Sequence, residues 1–159
     1  MNTFLLRTAL AALALLVADQ ASKHWIVSHY ELLQEFEVNS LLNIVRVHNY
    51  GAAFSFLSDA SGWQKYFFTG LGIVASVVMA VWAYRSPTQP RLVVALCLII
   101  SGAIGNVIDR INYGYVVDFI DIHIGGVHWP AFNVADSCIC IGAALLILDE
   151  VLNAKKRKS

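Results

Sequence analysis

The chain has 159 residues, 58% of them hydrophobic and only 14% charged, with a mean hydropathy of +0.63 and a formal net charge of zero. A soluble domain usually carries about 25% charged residues, so there is too little charge here to cover a globular surface in water. Intrinsic disorder, a basic nucleic-acid binder and most soluble enzyme classes are excluded.

The first apolar stretch, 8–18, is short and follows Arg7, which is the pattern of a secretory signal core. It reaches spanning length, 8–27, only if Asp19 and Lys23 are counted inside it. Residues 17–23 offer no small-x-small cleavage site, so a retained helix is preferred to a removed signal. The segment 28–65 then reads as a long external connection, within which Leu42, Ile44, Val45 and Val47 give a partly alternating, β-branched strand pattern.

Three cleaner spans follow at 66–84, 92–108 and 131–148, the last interrupted only by Asp136. Pro87 and Pro90 stop any helix from running through 86–90. The second external segment, 112–130, holds two β-rich runs, 117–124 and 127–129, joined by Gly125-Gly126, which reads as a hairpin. Four spans put both termini on one side. That side holds Arg7, Arg85, Arg91, Lys155, Lys156, Arg157 and Lys158, so the positive-inside rule makes it cytoplasmic. The expected fold is an α-helical integral membrane protein: one membrane-embedded domain over 1–159, four transmembrane helices and a small β-rich extracytoplasmic subdomain. The tail cations are a topology anchor that can touch anionic lipid. Cys97, Cys138 and Cys140 fall within spans and read as buried free thiols.

Ionisable groups in membrane helices are costly and usually face protein or water. Here they form four clusters near the same ends of the helices. Asp19 and Lys23, four apart, share a helix face. They either pair at the interface, with Lys23 reaching outward, or position something at a site. Asn49 and Gly51, in 48–55, suggest a tight turn allowing close backbone approach. Gly102, Asn106 and Arg110, spaced by four, line one stripe. The glycine suits helix contact, but a buried amide and a guanidinium need another reason.

The fourth cluster is a pair of acids in apolar surroundings, Asp118 in the second external segment and Asp136 at the start of the last span. Two such carboxyls brought together share a proton, so one can take a proton from water while the other donates to a carbonyl oxygen. The structural alternatives are a strand-edge acid for Asp118 and a helix N-cap for Asp136. Other chemistries fit less well. His123 and His128 with Asp118 and Asp121 lack the helical spacing of a zinc peptidase, and Ser55 and Ser137 have no nucleophile-elbow context.

Together, Asp19-Gln20-Ala21-Ser22-Lys23, Asn49-Tyr50-Gly51-Ala52-Ala53-Phe54, Gly102 to Arg110, Val117-Asp118-Phe119 and Phe132-Asn133-Val134-Ala135-Asp136 resemble, in order, the lipoprotein signal peptidases (signal peptidase II) of bacteria. Each motif alone is weak, whereas the ordered set is specific. Val107 stands where the family often has leucine. The resemblance implies an intramembrane aspartic endopeptidase with Asp118 and Asp136 as its dyad. It would cut diacylglyceryl-modified prolipoproteins on the amino side of the lipidated cysteine. Asp19, Lys23, Asn49, Gly51, Asn106, Arg110 and Asn133 match positions that surround the site or hold substrate and backbone.

The resemblance further implies no metal or organic cofactor, a sheet-like cradle and short helical lid, a monomer among membrane lipid, and an inner-membrane location with the site near the outer face. A small transporter or proton relay using the intramembrane aspartates, and a scaffold whose acids merely lock helices, are the competing classes. The absence of a repeat and the gathering of the carboxylates on one face argue against the relay.

Overall fold

The computed structural model describes residues 3–51 and 62–158. In chain order the elements are α1 (Thr3–His29), β1 (Glu35–Asn39), β2 (Leu42–Asn49), α2 (Gln64–Arg85), α3 (Pro90–Tyr113), β3 (Val116–Ile124), β4 (Val127–His128) and α4 (Val134–Lys158). Helices α1, α2 and α3 are each long and apolar enough to cross a membrane. At 1.5 Å per residue, the 24 residues of α3 extend about 36 Å, beyond a hydrocarbon core of about 30 Å. The helices therefore overrun the apolar runs that mark them, carrying Asp109 and Arg110 inside the last turns of α3.

The turn between α2 and α3 forms where the prolines require it, with Pro90 in the first turn of α3, where its missing N–H costs nothing. Helix α3 is the buried one, with Leu92, Val93, Ala95, Leu96 and Ile99 enclosed. In contrast, α2 exposes Leu71, Val74, Val78 and Val81, an apolar face suited to lipid.

Glycines set how closely the helices approach. A Cβ built on Gly102 of α3 overlaps the carbonyl oxygen of Ala135 and comes within 2.7 Å of Ile139 Cγ1 on α4. One on Gly142 of α4 comes within 2.7 Å of the Ala95 carbonyl oxygen on α3. The α3 and α4 backbones are thus in contact, as small residues permit inside membranes. Gly102→Ala is expected to lower stability by about 1–3 kcal/mol, because a backbone carbonyl cannot step aside. Gly70→Ala on α2, where nothing lies within 4 Å of the new methyl, is expected to be neutral or slightly stabilising. Thermal unfolding of the two variants in one detergent compares them.

At the end of the bundle where α1 ends and α4 begins lies an antiparallel sheet of order β1-β2-β3-β4. The hairpin expected at Gly125-Gly126 is present. Both glycines have positive φ, 58° and 82°, as a two-residue primed turn requires. Strand β2 extends two residues beyond the expected 42–47. β1 carries no burial pattern, being exposed throughout, and was not expected from the sequence. Arg46 ties sheet to bundle: its Nη1 donates to the Val27 and Tyr30 carbonyl oxygens at 3.1 and 2.8 Å, covering the open end of α1.

Several expectations need correcting. Lys23 does not reach outward: it is 2% exposed, as is Asp19, and the two pair at 3.0 Å. Asp118 is no edge acid, because β3 is interior to the sheet, with β2 on one side and Phe132 bridging Ile120 on the other. Asp136 is not the N-cap of α4. Asn133 fills that role, its Oδ1 accepting the Asp136 N–H at 2.8 Å. Cys97 and Cys138 are buried, whereas Cys140 is exposed, since two helical steps of about 100° turn it to the opposite face. Among the described residues, 30–51 and 114–133 contain no short helix, and the segments expected to hold the short helical lid include 52–61, which lie outside them. Residues 52–55, including Ser55, and the side chains of Lys155, Lys156, Arg157 and Lys158 lie outside the described residues.

Candidate active site

Asp118 and Asp136 come from elements that fold for unrelated reasons. Asp118 alternates on β3 with Val117 and Phe119, which bury into a small core with Ile26 of α1. That alternation turns Asp118 to the other face. Asp136 stands in the first turn of α4, where the helix macrodipole favours a negative side chain. Both line one cavity of about 790 Å³.

Asparagines hold the two acids. Asn133, fully buried, donates from Nδ2 to Asp118 Oδ1 at 2.7 Å while its Oδ1 accepts from the Asp136 backbone, so one side chain spans both. Asn49 donates to the second Asp118 oxygen at 3.0 Å and accepts the Gly51 N–H at 3.0 Å, closing the tight turn expected there. Asn106 donates to Asp136 Oδ1 at 2.8 Å. Arg110 crosses to the Gly51 carbonyl oxygen at 2.6 Å and lies over the Phe68 ring, 5.2 Å from its centroid.

The Asp118 carboxyl is pushed from an ordinary 3.8 up to about 7. Burial is the main cause and the neighbouring Asp136 charge adds to it, opposed by the Asn49 and Asn133 amides and by Lys23. On the cavity wall, His48 stacks on Tyr115 with ring centroids 3.7 Å apart. Burial, then the Arg46 charge, lowers its pKa, and its Nε2 accepts from Arg46. It stands as a neutral ring.

Of the nine residues expected at the site, Asp118, Asp136, Asn49, Asn106 and Arg110 line the cavity. Gly51 anchors Arg110, and Asn133 joins the acids from behind. Asp19 and Lys23 lie deeper and do not face the cavity. Sequence reasoning missed Asp109, which is 1% exposed and pairs with Lys23 at 3.0 Å, and Gln20, which bridges Asp19 and Asp109 at 3.1 Å to each. The available signal was Asp109 lying three residues after Asn106, on nearly the same helical face. Among the described residues no group of three or more His, Cys, Asp and Glu has the arrangement of a metal site.

A family model described as signal peptidase (SPase) II matches residues 11–152. The chain belongs to the signal peptidase II family. Among its relatives, the lipoprotein signal peptidase of Shewanella halifaxensis is 50% identical over 143 residues, covering 89% of this chain and 84% of that one. That of Alteromonas mediterranea is 50% identical over 149 residues, covering 93% and 81%. A solved bacterial membrane enzyme superposes with a TM-score of 0.83 at 35% identity, covering 96% of this chain and 92% of that one. This signal peptidase II member is thus a peptidase of the bacterial inner membrane, crossing it more than once.

Proposed function

We propose that this peptidase is an intramembrane aspartic endopeptidase. It removes the signal peptide from diacylglyceryl-modified prolipoproteins by cutting on the amino side of the lipidated cysteine. The observation that carries this reading is the convergence of Asp118 and Asp136, far apart in the chain, on one cavity, with an amide donor on each. The ionised member takes a proton from water as the oxygen attacks the scissile carbonyl carbon, and the protonated member donates to the carbonyl oxygen. When the tetrahedral intermediate collapses, the C–N bond breaks and the departing amine takes up a proton from the pair. Asn49, Asn106 and Asn133 keep the oxygens aimed, and Arg110 with Gly51 braces the rim.

The remaining features follow from the same reading. All 159 residues form one membrane-embedded domain, α4 is the fourth span, both termini are cytoplasmic, and the sheet lies at the outer face. The enzyme works as a monomer. A substrate held by its lipid enters sideways from the outer leaflet, so binding and orientation are supplied before chemistry begins.

The test is reconstitution in detergent with a precursor peptide in two forms, diacylglyceryl-modified and unmodified. Each acyl methylene buried adds about 0.8 kcal/mol, so the modified form is expected to be cleaved with kcat/KM at least roughly tenfold higher. Equal cleavage of the two forms, or a cut elsewhere than beside the cysteine, would overturn the assignment.

A further inference from the structure

Behind the cavity, and not lining it, lies a closed polar cluster. Lys23 Nζ stands 3.0 Å from Asp19 Oδ2, 3.0 Å from Asp109 Oδ2 and 3.0 Å from Asn106 Oδ1. Gln20 Nε2 lies 3.1 Å from both acids and from the Gly105 carbonyl oxygen. A Cβ on Gly105 would come within 2.6 Å of Asp19 Oδ2, so the glycine is what admits this carboxylate between α1 and α3. Burying two carboxylates and one ammonium is costly, and apolar side chains would join these helices as well.

What distinguishes the cluster is which backbone amides its acids also accept. The Val117 N–H donates to Asp109 Oδ2 at 3.0 Å, and the Ala135 N–H donates to Asp19 Oδ1 at 2.8 Å. These two amides belong to the residues immediately ahead of Asp118 and Asp136. Ala135 lies in the first turn of α4, where N–H groups have no partner within the helix. Lys23 also directs the Asn106 amide: its ammonium can only donate, so the oxygen of Asn106 faces it and the NH₂ is left for Asp136.

We propose that Asp19 and Asp109, bridged by Lys23, are paired positioning residues that fix the separation of the Asp118 and Asp136 carboxyls by each holding the backbone one residue ahead of them. This deepens the aspartic reading above and rests on it. A dyad that shares a proton tolerates about 0.5 Å of misplacement, and a clamp on the main chain sets that distance without entering the space the substrate needs.

The proposal separates turnover from binding. In the reconstituted assay with the diacylglyceryl-modified peptide, kcat and KM are measured per folded molecule, with folded fraction taken from size-exclusion profiles. Asp109→Asn loses the charge that Lys23 holds and leaves one amide oxygen for Lys23, Gln20 and Val117 together, which loosens the hold on the Val117 N–H. Its kcat is expected to fall roughly tenfold to a hundredfold with KM within about twofold of wild type. Gln20→Leu removes hydrogen bonds to both acids without removing a charge and, if Asp109→Asn yields no folded enzyme, carries the test: kcat down roughly threefold at unchanged KM. Asp118→Asn is assayed alongside. If Asp118→Asn is inactive, wild-type kcat per folded molecule in the positioning variants, or a loss carried by KM, overturns the clamp and leaves the dyad standing. Full turnover by Asp118→Asn overturns both.

Discussion

Asp118→Asn and Asp136→Asn are each expected to abolish cleavage, lowering kcat at least about 10³-fold, while the protein still folds. Each substitution preserves shape and removes either the proton acceptor or the shared proton, and positioned acid–base groups account for about 10²–10⁴ in rate. With Asp118 raised to about 7, the wild-type rate is expected to fall as pH rises through that value, because the doubly ionised pair has no proton to donate. Stability carries the same sign. A carboxyl whose pKa is higher folded than unfolded favours the fold only in its neutral form. The penalty is absent below 3.8, grows between 3.8 and about 7, and is complete above. Asp118→Asn is therefore expected to be more stable than wild type at pH 8, by on the order of 1 kcal/mol or more, and equal to it near pH 3. Thermal unfolding at the two pH values, beside cleavage of the lipidated peptide, checks both halves. A variant that cleaves normally or unfolds at lower temperature at pH 8 would sink the reading of a buried, proton-sharing pair.

Lys23→Met is expected to be the most destabilising single change, by about 3–5 kcal/mol, because it leaves Asp19 and Asp109 buried with no cation between them. Replacing all three charges together, Lys23→Met with Asp19→Asn and Asp109→Asn, is expected to restore much of that stability, since neutral groups need no counterion. It is not expected to restore turnover. Folded yield and unfolding temperature of the single and triple variants give the comparison. A single variant as stable as wild type would mean that water reaches the cluster.

The parts of this protein legible in its sequence are those whose cause is local. The apolar runs of α2 and α3 announce themselves by length, Pro87 and Pro90 mark the turn between them, and Gly125-Gly126 between β-branched runs dictates the hairpin. Strand β1 left no trace because Glu35 to Asn39 are exposed on both faces, so no alternation of apolar and polar residues was needed. The acids of the site stood out because a carboxylate in an apolar run demands a reason. Their partners did not: the pairing of Val47 with Asp118 across β2 and β3, or of Lys23 with Asp109 across α1 and α3, is settled by tertiary contacts that no spacing along the chain encodes. Asp109 read as the end of a span because charge after an apolar run usually means water, and only the fold turns it inward.

The contact of α3 and α4 through Gly102 and Gly142 divides the cavity wall into two groups of residues. Asn106, Arg110, Asp136 and Ile139 ride on that fused pair and form a fixed jaw. The rest of the wall includes 47–50 and 129–132, from the end of β2 and the segment between β4 and α4. On the peptidase reading proposed above, tolerance toward different precursors is expected to change with substitutions in that second group and to be little altered by ones on the fused pair that leave the acids in place.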